Sequence, residues 1–311
     1  VIVGVDIGGT KIAVAGFEPD PAGGRRRVTP VRSCATPARE GGDAIVRAVV
    51  EAVRAVADGE PVTAVGVGTA GVVAPDGSIT SATDAIRGWA GFPLRSALER
   101  ATGVAVVVVN DVHAAAVAEA AQGAGRGAGG LLMVAVGTGI GGAVVLPDGL
   151  RTGATGTAGS VGHTELALPA ELAGRRCGCG APGHVEAVAS GPGLERTYRE
   201  RTGTPLPLRE VDALARAGDR TAAEVIAQGA QFLGRALAAA NAVLDVEVVA
   251  VGGGVAGIGE RYLDEVARAY RAVAMPGPAR ARVLPAEFGV DATATGAALL
   301  APVETPTPRP A

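Results

Sequence analysis

A two-lobed α/β chain is predicted by three observations. Strand-like and helical segments alternate through residues 1–109, the pattern of a layered α/β architecture. A strand, a glycine turn and a second strand occupy residues 1–17, and the same device returns about 130 residues later at 131–146. A third glycine run, Gly252-Gly253-Gly254, joins a strand-like segment to a helical one. Two copies of one hairpin in 311 residues indicate two related half-molecules facing one nucleotide across a cleft.

The elements follow from local pattern. Apolar runs at 1–7 and 11–17 flank Gly8-Gly9-Thr10, giving two strands with Asp6 near the end of the first. Residues 20–27, rich in Gly and Arg, read as an exposed turn, and residues 28–36 as a third strand. A helix is expected over 43–57 and a strand over 64–68, leading into Gly68-Thr69-Ala70-Gly71. A helix near 94–101 and the valine-rich strand 105–109 then run into Asn110-Asp111. After an Ala/Gly link at 121–130 comes the second hairpin, built on Gly137-Thr138-Gly139-Ile140-Gly141-Gly142. This matches the G-x-G-x-x-G spacing of dinucleotide folds, but that motif opens a helix, and Val144-Val145 predict a strand. A long helix over 221–244, a strand over 246–251, and helices over about 258–273 and 292–301 complete the reading. Residues 1–111 form the first lobe, with 292–301 expected to return to it, and 112–291 the second. Residues 302–311, with four prolines, read as a disordered tail.

Composition removes several function classes. A net charge of −3 with no basic stripe argues against nucleic acid as a partner. Residues 127–147 carry no charge, but seven glycines and a proline divide them into two short strands, not a membrane span. Three cysteines, two of them in one C-x-C, do not make a secreted disulfide framework, and no charged leader precedes the first strand. A cytoplasmic protein is expected.

Lys11 is the only lysine among 28 basic residues, and it directly follows the Gly-Gly-Thr turn. Backbone N–H groups bared by glycine cradle phosphate oxygens, and a neighbouring ammonium or hydroxyl adds to the grip. Four of the six Cys and His residues fall in one window: His163, Cys177, Cys179 and His184. A C-x-C pair with flanking histidines is the donor set of a closed tetrahedral zinc site, here ordering an apolar-poor loop at 163–186. His113 is assigned nothing, and Cys34 reads as a small core hydrophobe. At the end of a four-valine strand, Asp111 stands where α/β folds bind ligands and is placed to accept the proton of an attacking hydroxyl. Asn-Asp after a strand is also a helix cap, and that alternative stays open here.

In this order the motifs resemble those of the ROK family of bacterial sugar kinases and related repressors, within the actin-like ATPase (ribonuclease H-like) superfamily. The likeness covers nearly the whole chain: D-I-G-G-T-K at 6–11, G-T-A-G at 68–71, N-D at 110–111, G-T-G-I-G-G at 137–142. It continues with G-S-V-G-H at 159–163, C-G-C-G-x-x-G-H-x-E at 177–186 and G-G-G at 252–254. The resemblance implies an ATP- and magnesium-dependent hexose kinase with a structural zinc, a homodimer or homotetramer. Residue by residue, Asp111 matches the catalytic base; Gly71, Asn110, Asp111, His163 and Glu186 match the sugar site. Asp6, Gly8, Gly9, Thr10, Lys11, Thr138, Gly139, Gly253 and Gly254 match the nucleotide and phosphate site, with Asp6 beside magnesium. His163, Cys177 and Cys179 match zinc ligands.

Three departures bear on substrate. His184 stands where the family has a third zinc cysteine, and the sugar loop has Ala70 where the family has proline. Ser160 replaces the glutamate with which glucokinase-type members grip sugar hydroxyls. Segments 158–164 and 185–191 look most like bacterial N-acetylmannosamine kinases, so phosphorylation of that sugar at its 6-hydroxyl is expected. Glucokinase and N-acetylglucosamine kinase are the alternatives, with polyphosphate a possible donor in place of ATP. A sugar-responsive regulator, the rival from another class, needs a DNA-binding segment ahead of the first hairpin.

Overall fold

The structure is a computed structural model describing residues 1–21 and 23–302; the tail expectation for 303–311 lies outside the described residues. The chain divides into two compact units. Unit 1 holds Val1–Gln122, Thr152–Thr157 and the chain from Val290; unit 2 holds Gly123–Arg151 and Ala158–Gly289. The division thus follows Gln122, whereas the sequence placed it at 111: the helix that begins at Asp111 packs on strands of unit 1.

Unit 1 begins with the antiparallel hairpin of β1 (Ile2–Ile7) and β2 (Lys11–Pro19). The expected strand over 28–36 is instead two short ones, β3 (Arg25–Arg27) and β4 (Arg32–Ala35), both paired to β2. Pro30 between them has no N–H for the ladder, and beside this break the Gly16 N–H is taken by the Thr29 hydroxyl oxygen at 2.7 Å. On β4, at the sheet margin, Cys34 is exposed and does not enter the core. Helix α1 (Gly42–Ala57), strand β5 (Ala64–Thr69), the small ribbon of β6 (Val72–Val73) and β7 (Ile79–Ser81), helix α2 (Leu94–Thr102), strand β8 (Ala105–Asn110) and helix α3 (Asp111–Gln122) follow. The sheet order is β3-β2-β1-β5-β8, with β1, β5 and β8 parallel.

Strand periodicity sets the two faces of this sheet. Val3, Val5 and Ile7 of β1 and Val65 and Val67 of β5 join one core with Ile45, Val49 and Val53 of α1. On the opposite face Gly4 and Gly66 lie side by side in the parallel register. A β-carbon on Gly4 would overlap the Ala294 carbonyl and one on Gly66 the Ala297 carbonyl, so the last helix, α10 (Ala292–Leu300), lies directly on the strand backbones.

Unit 2 repeats the theme. Strands β9 (Leu131–Val136) and β10 (Ile140–Leu146) make the second hairpin, largely buried as a hairpin reading of this uncharged segment requires. β11 (Gly149–Arg151) pairs with β10, and β12 (Val248–Gly252) and β13 (Arg282–Pro285) extend the sheet in parallel from β9. Hairpin followed by two parallel strands is the order of β2-β1-β5-β8 in unit 1 and of β10-β9-β12-β13 in unit 2. Two single-turn helices, α4 (Ala170–Ala173) and α5 (Glu186–Ala189), precede α6 (Gly191–Thr202), α7 (Leu208–Arg216), the long α8 (Arg220–Leu244) and α9 (Glu260–Val273). Leu233 and Leu237 of α8 and Val266 and Tyr270 of α9 pack with Val249 and Val251 of β12 into one core. Among the described residues no helix is long and apolar enough to cross a membrane.

Candidate active site

Asp111 opens α3 at the end of β8, where four valines have carried the chain through the sheet. Its neighbour Asn110 is the helix cap: Asn110 Oδ1 accepts the N–H of Val112 at 2.9 Å and of His113 at 3.3 Å. Asn110 Nδ2 donates to the Gly71 carbonyl at 3.0 Å, tying the Gly68–Gly71 loop to the same point, and the Asn110 side chain also hydrogen-bonds the Asp111 carboxyl. Gly71 has φ 104, a left-handed value that favours glycine. Asp111 Oδ1 also accepts the Val112 N–H at 2.9 Å, but burial dominates and holds its carboxyl above the ordinary carboxylate range.

The first glycine turn is closed by a Gly8 N–H to Lys11 carbonyl bond of 2.9 Å, and Thr10 and Lys11 are exposed at its tip. Asp6, at the end of β1, has its carboxyl pushed up to about 7, first by burial and then by the like charge of Asp111, with Lys11 pulling it back. The structure thus brings Asp6 and Asp111 into one electrostatic neighbourhood, an arrangement that a divalent cation or a bound proton relieves.

In unit 2 the hairpin turn is closed by a Gly137 N–H to Gly139 carbonyl bond of 2.8 Å, with Thr138 exposed at its tip. Glu186 reaches this turn: its Oε2 accepts the Ile140 N–H at 3.0 Å, and its Oε1 accepts the Gly178 N–H at 3.1 Å. The spacing of G-x-x-G-H acquires a reason here. A β-carbon on Gly159 would stand 2.7 Å from Ala143 Cα, and one on Gly162 would overlap the Ile140 carbonyl, so the turn carrying His163 lies flat on β10. Gly253, at φ 87, presses in the same way on Val136 at the end of β9, while Gly254 faces open space.

The four predicted metal donors come together. One ligand atom from each of His163, Cys177, Cys179 and His184 lies within 4.8 Å of every other. Cys177 Sγ stands 3.7 Å from His163 Nδ1 and 3.1 Å from His184 Nδ1, and Cys179 Sγ 3.3 Å from His184 Nδ1. Ligands of a tetrahedral zinc stand roughly 3.3–3.8 Å apart, given bonds of about 2.0–2.3 Å. The two sulfurs, free and 2.7 Å apart, need to open by about 1 Å to meet that spacing. Donor type, number and closeness are compatible with zinc held by these four residues, which would fix the loop without entering the chemistry.

The family model for the ROK family matches residues 2–304. The chain belongs to the ROK family. It is similar to the N-acetylmannosamine kinase of Salmonella typhi, 35% identical over 308 residues that cover 97% of this chain and 98% of the relative. Among solved structures it is similar to the ROK hexokinase of Thermus thermophilus, with TM-score 0.84, 37% identity and 96% of each chain covered. It is also similar to a ROK family glucokinase from Streptomyces griseus solved with glucose and AMPPNP, with TM-score 0.78, 34% identity, and 96% and 98% coverage. The actin-like ATPase fold of ROK sugar kinases, implied by the motifs, is the fold of this chain, and its enzyme class is that of a sugar kinase. At near-equal identity, one relative is named for N-acetylmannosamine and another for glucose.

Three residues that brace individual loops within the two units escaped the sequence reading. Thr36 straps the first turn, its hydroxyl donating to the Gly8 carbonyl at 2.7 Å and its N–H to the Thr10 carbonyl at 3.0 Å. Trp89 Nε1 donates to the Ala70 carbonyl at 3.1 Å, and its standing as the lone tryptophan was the available signal. Buried Arg175 pins the metal loop to α6 through Thr197 Oγ1 at 2.7 Å and Glu200 Oε2 at 2.6 Å.

The raised Asp6 carboxyl carries a pH signature. Folded Asp6 binds its proton more tightly than the unfolded chain, so the stability this proton supplies is full below about pH 4 and is lost as pH rises to about 7. Asp6→Asn mimics the protonated form, and in magnesium-free buffer it is expected to melt ~5 °C above the native chain at pH 8 and level with it at pH 4. Equal melting temperatures at pH 8 would contradict the burial argument.

Proposed function

We propose that this sugar kinase transfers the terminal phosphoryl of ATP to the 6-hydroxyl of an N-acetylated hexosamine, with N-acetylmannosamine the favoured acceptor. The observation that carries the reading is Asp111: a half-buried carboxylate with a raised pKa, at a strand end, that its helix does not need as a cap. Perturbed, partly desolvated acids of this kind mark proton-transfer sites.

In this reading Asp111 takes the proton of the sugar hydroxyl as that oxygen attacks the terminal phosphorus, the bond to the bridging oxygen breaks, and ADP leaves. Asn110, Gly71, His163 and Glu186 orient the sugar. Glu186 keeps a free lone pair on each oxygen beside its two backbone bonds. The turns at Gly8–Lys11 and Gly137–Gly139 take phosphate oxygens through backbone N–H groups, the Thr10 and Thr138 hydroxyls and the Lys11 ammonium. Gly253 and Gly254 serve the adenosine end. Magnesium, when bound near Asp6, neutralises phosphate charge. The cytoplasm suits this reading, since there a thiol pair stays reduced for zinc.

Ser160 supports the choice of acceptor. It directly precedes the turn of His163 and is half-buried, so a glutamate there would add a charge and length beside a predicted sugar ligand. The test is coupled ADP release over a panel of glucose, mannose, N-acetylglucosamine and N-acetylmannosamine. Highest kcat/KM on N-acetylmannosamine is expected, with Ser160→Glu shifting preference about tenfold or more towards glucose, roughly one lost or gained hydrogen bond to a charged group. Higher kcat/KM on glucose in the native chain would overturn the acceptor, and no ADP release with any sugar would overturn the kinase reading.

A further inference from the structure

Glu186 bridges two parts of unit 2 with one side chain. It stands two residues beyond His184 and opens α5, so its backbone belongs to the metal loop. Its carboxylate spans outward in two directions, Oε1 to the Gly178 N–H inside the C-x-C and Oε2 to the Ile140 N–H at the foot of the second hairpin. The approach is close enough to constrain sequence: a β-carbon on Gly139 would lie 2.7 Å from Glu186 Oε2. Independently, Gly162 rests on the Ile140 carbonyl, so the other end of the metal site, at His163, presses on the same residue.

We propose that Glu186 is a strut through which the metal loop fixes the Gly137–Gly142 turn, so that loss of zinc loosens the hairpin as well as its own loop. Each bond runs from a backbone donor to one carboxylate oxygen, and such charge-assisted bonds are about twice as strong as neutral ones. Cys177 and Cys179 flank Gly178, so zinc held by the two thiolates would fix that N–H against Oε1 and leave Oε2 facing Ile140. Without that tie the carboxylate loses one of its two anchors, and the turn loses the partner of its first strand N–H. In this role Glu186 is a positioning residue for the hairpin, whatever it also gives to a sugar. The inference rests on the proposed function only for the hairpin's phosphate role, and its test needs no substrate.

The test is amide hydrogen exchange on the full chain, loaded with zinc and then stripped with a chromophoric chelator that reports the metal released. In the native chain, stripping is expected to speed exchange at 137–142 roughly tenfold, the effect of losing one such bond. In Glu186→Ala, exchange at 137–142 is fast from the start and stripping adds nothing there. Glu186→Gln has one acceptor oxygen and places an NH2 donor against the other N–H, so its response falls between the two. An unchanged hairpin on stripping the native chain, an undiminished response in Glu186→Ala, or a chain that takes up no zinc would each overturn the strut. Should Glu186→Ala fail to fold, the native comparison with and without zinc decides alone. A chain that couples zinc to hairpin exchange but phosphorylates no sugar keeps the strut and loses only the function.

Discussion

Asp111→Asn is expected to lower kcat by about 100-fold or more while leaving the chain at least as stable as the native protein. The two halves of this expectation have one cause. Burial raises the Asp111 carboxyl above its ordinary range, which means that the folded chain pays to keep it charged. Its capping contribution is duplicated, since the Val112 N–H that Asp111 accepts at 2.9 Å is also held by Asn110 Oδ1 at 2.9 Å. An asparagine keeps the shape and the acceptor oxygen, removes the desolvated charge and relieves the like-charge pressure on Asp6. What it cannot do is take a proton. The helix N-terminus does favour a negative charge, by up to about 1 kcal/mol, and this partly offsets the gain. Turnover by coupled ADP release and melting temperature at pH 8, measured on the same preparations, check both halves. Near-native turnover removes Asp111 as the base, and a large drop in melting temperature makes it a structural residue. In the native enzyme the acid limb of kcat/KM should also fall at a pH above the ordinary carboxylate range, because the base is lost as it protonates.

Much of the candidate site is legible as local structure because its signals are local. A glycine turn between two apolar runs announces a hairpin whatever surrounds it, and a strand of valines ending in Asn-Asp puts those side chains at the sheet edge. Cys177, Cys179 and His184 span eight residues, and only His163 had to be brought in from outside. Reading failed where the partner is remote or a single residue changes the ladder. Pro30 breaks the strand that Val28, Val31 and the residues after it support by pattern, and Cys34 sits on a strand whose four residues are all exposed. Thr36 and Glu186 act on backbone groups 28 and 46 residues away, and composition gives no hint of those distances. The Asn-Asp alternative resolves unevenly: Asn110 caps both Val112 and His113, and Asp111 only duplicates the first of these bonds.

The largest effect on stability is expected at Gly66, where the sequence shows only one glycine among forty-eight. Its strand alternates valine and glycine, Val65-Gly66-Val67-Gly68, and β1 carries Val3-Gly4-Val5 in register beside it. Valines fill the α1 face; glycines leave a trough on the other, and α10 lies in it with its backbone against the strands. A methyl on Gly66 would overlap the Ala297 carbonyl, which is backbone and has no rotamer to escape into. Gly66→Ala is therefore expected to cost about 3 kcal/mol, the upper range for overpacking, as read by urea denaturation. Gly174→Ala is the control: φ is −81 and nothing lies within 4 Å of the added carbon, so a change under about 0.5 kcal/mol is expected. The consequence reaches the chemistry, because α10 is also locked to α3. A β-carbon on Gly296 would overlap the Ala114 carbonyl, and Thr293 Oγ1 donates to the Asp111 carbonyl at 3.5 Å. Lifting α10 off the trough displaces the helix whose first residue is the proposed base, so Gly66→Ala should lower kcat even at temperatures where the chain remains folded. A Gly66→Ala chain as stable and as active as the native protein would mean that the helix has room to move, and that glycine at this seam is incidental.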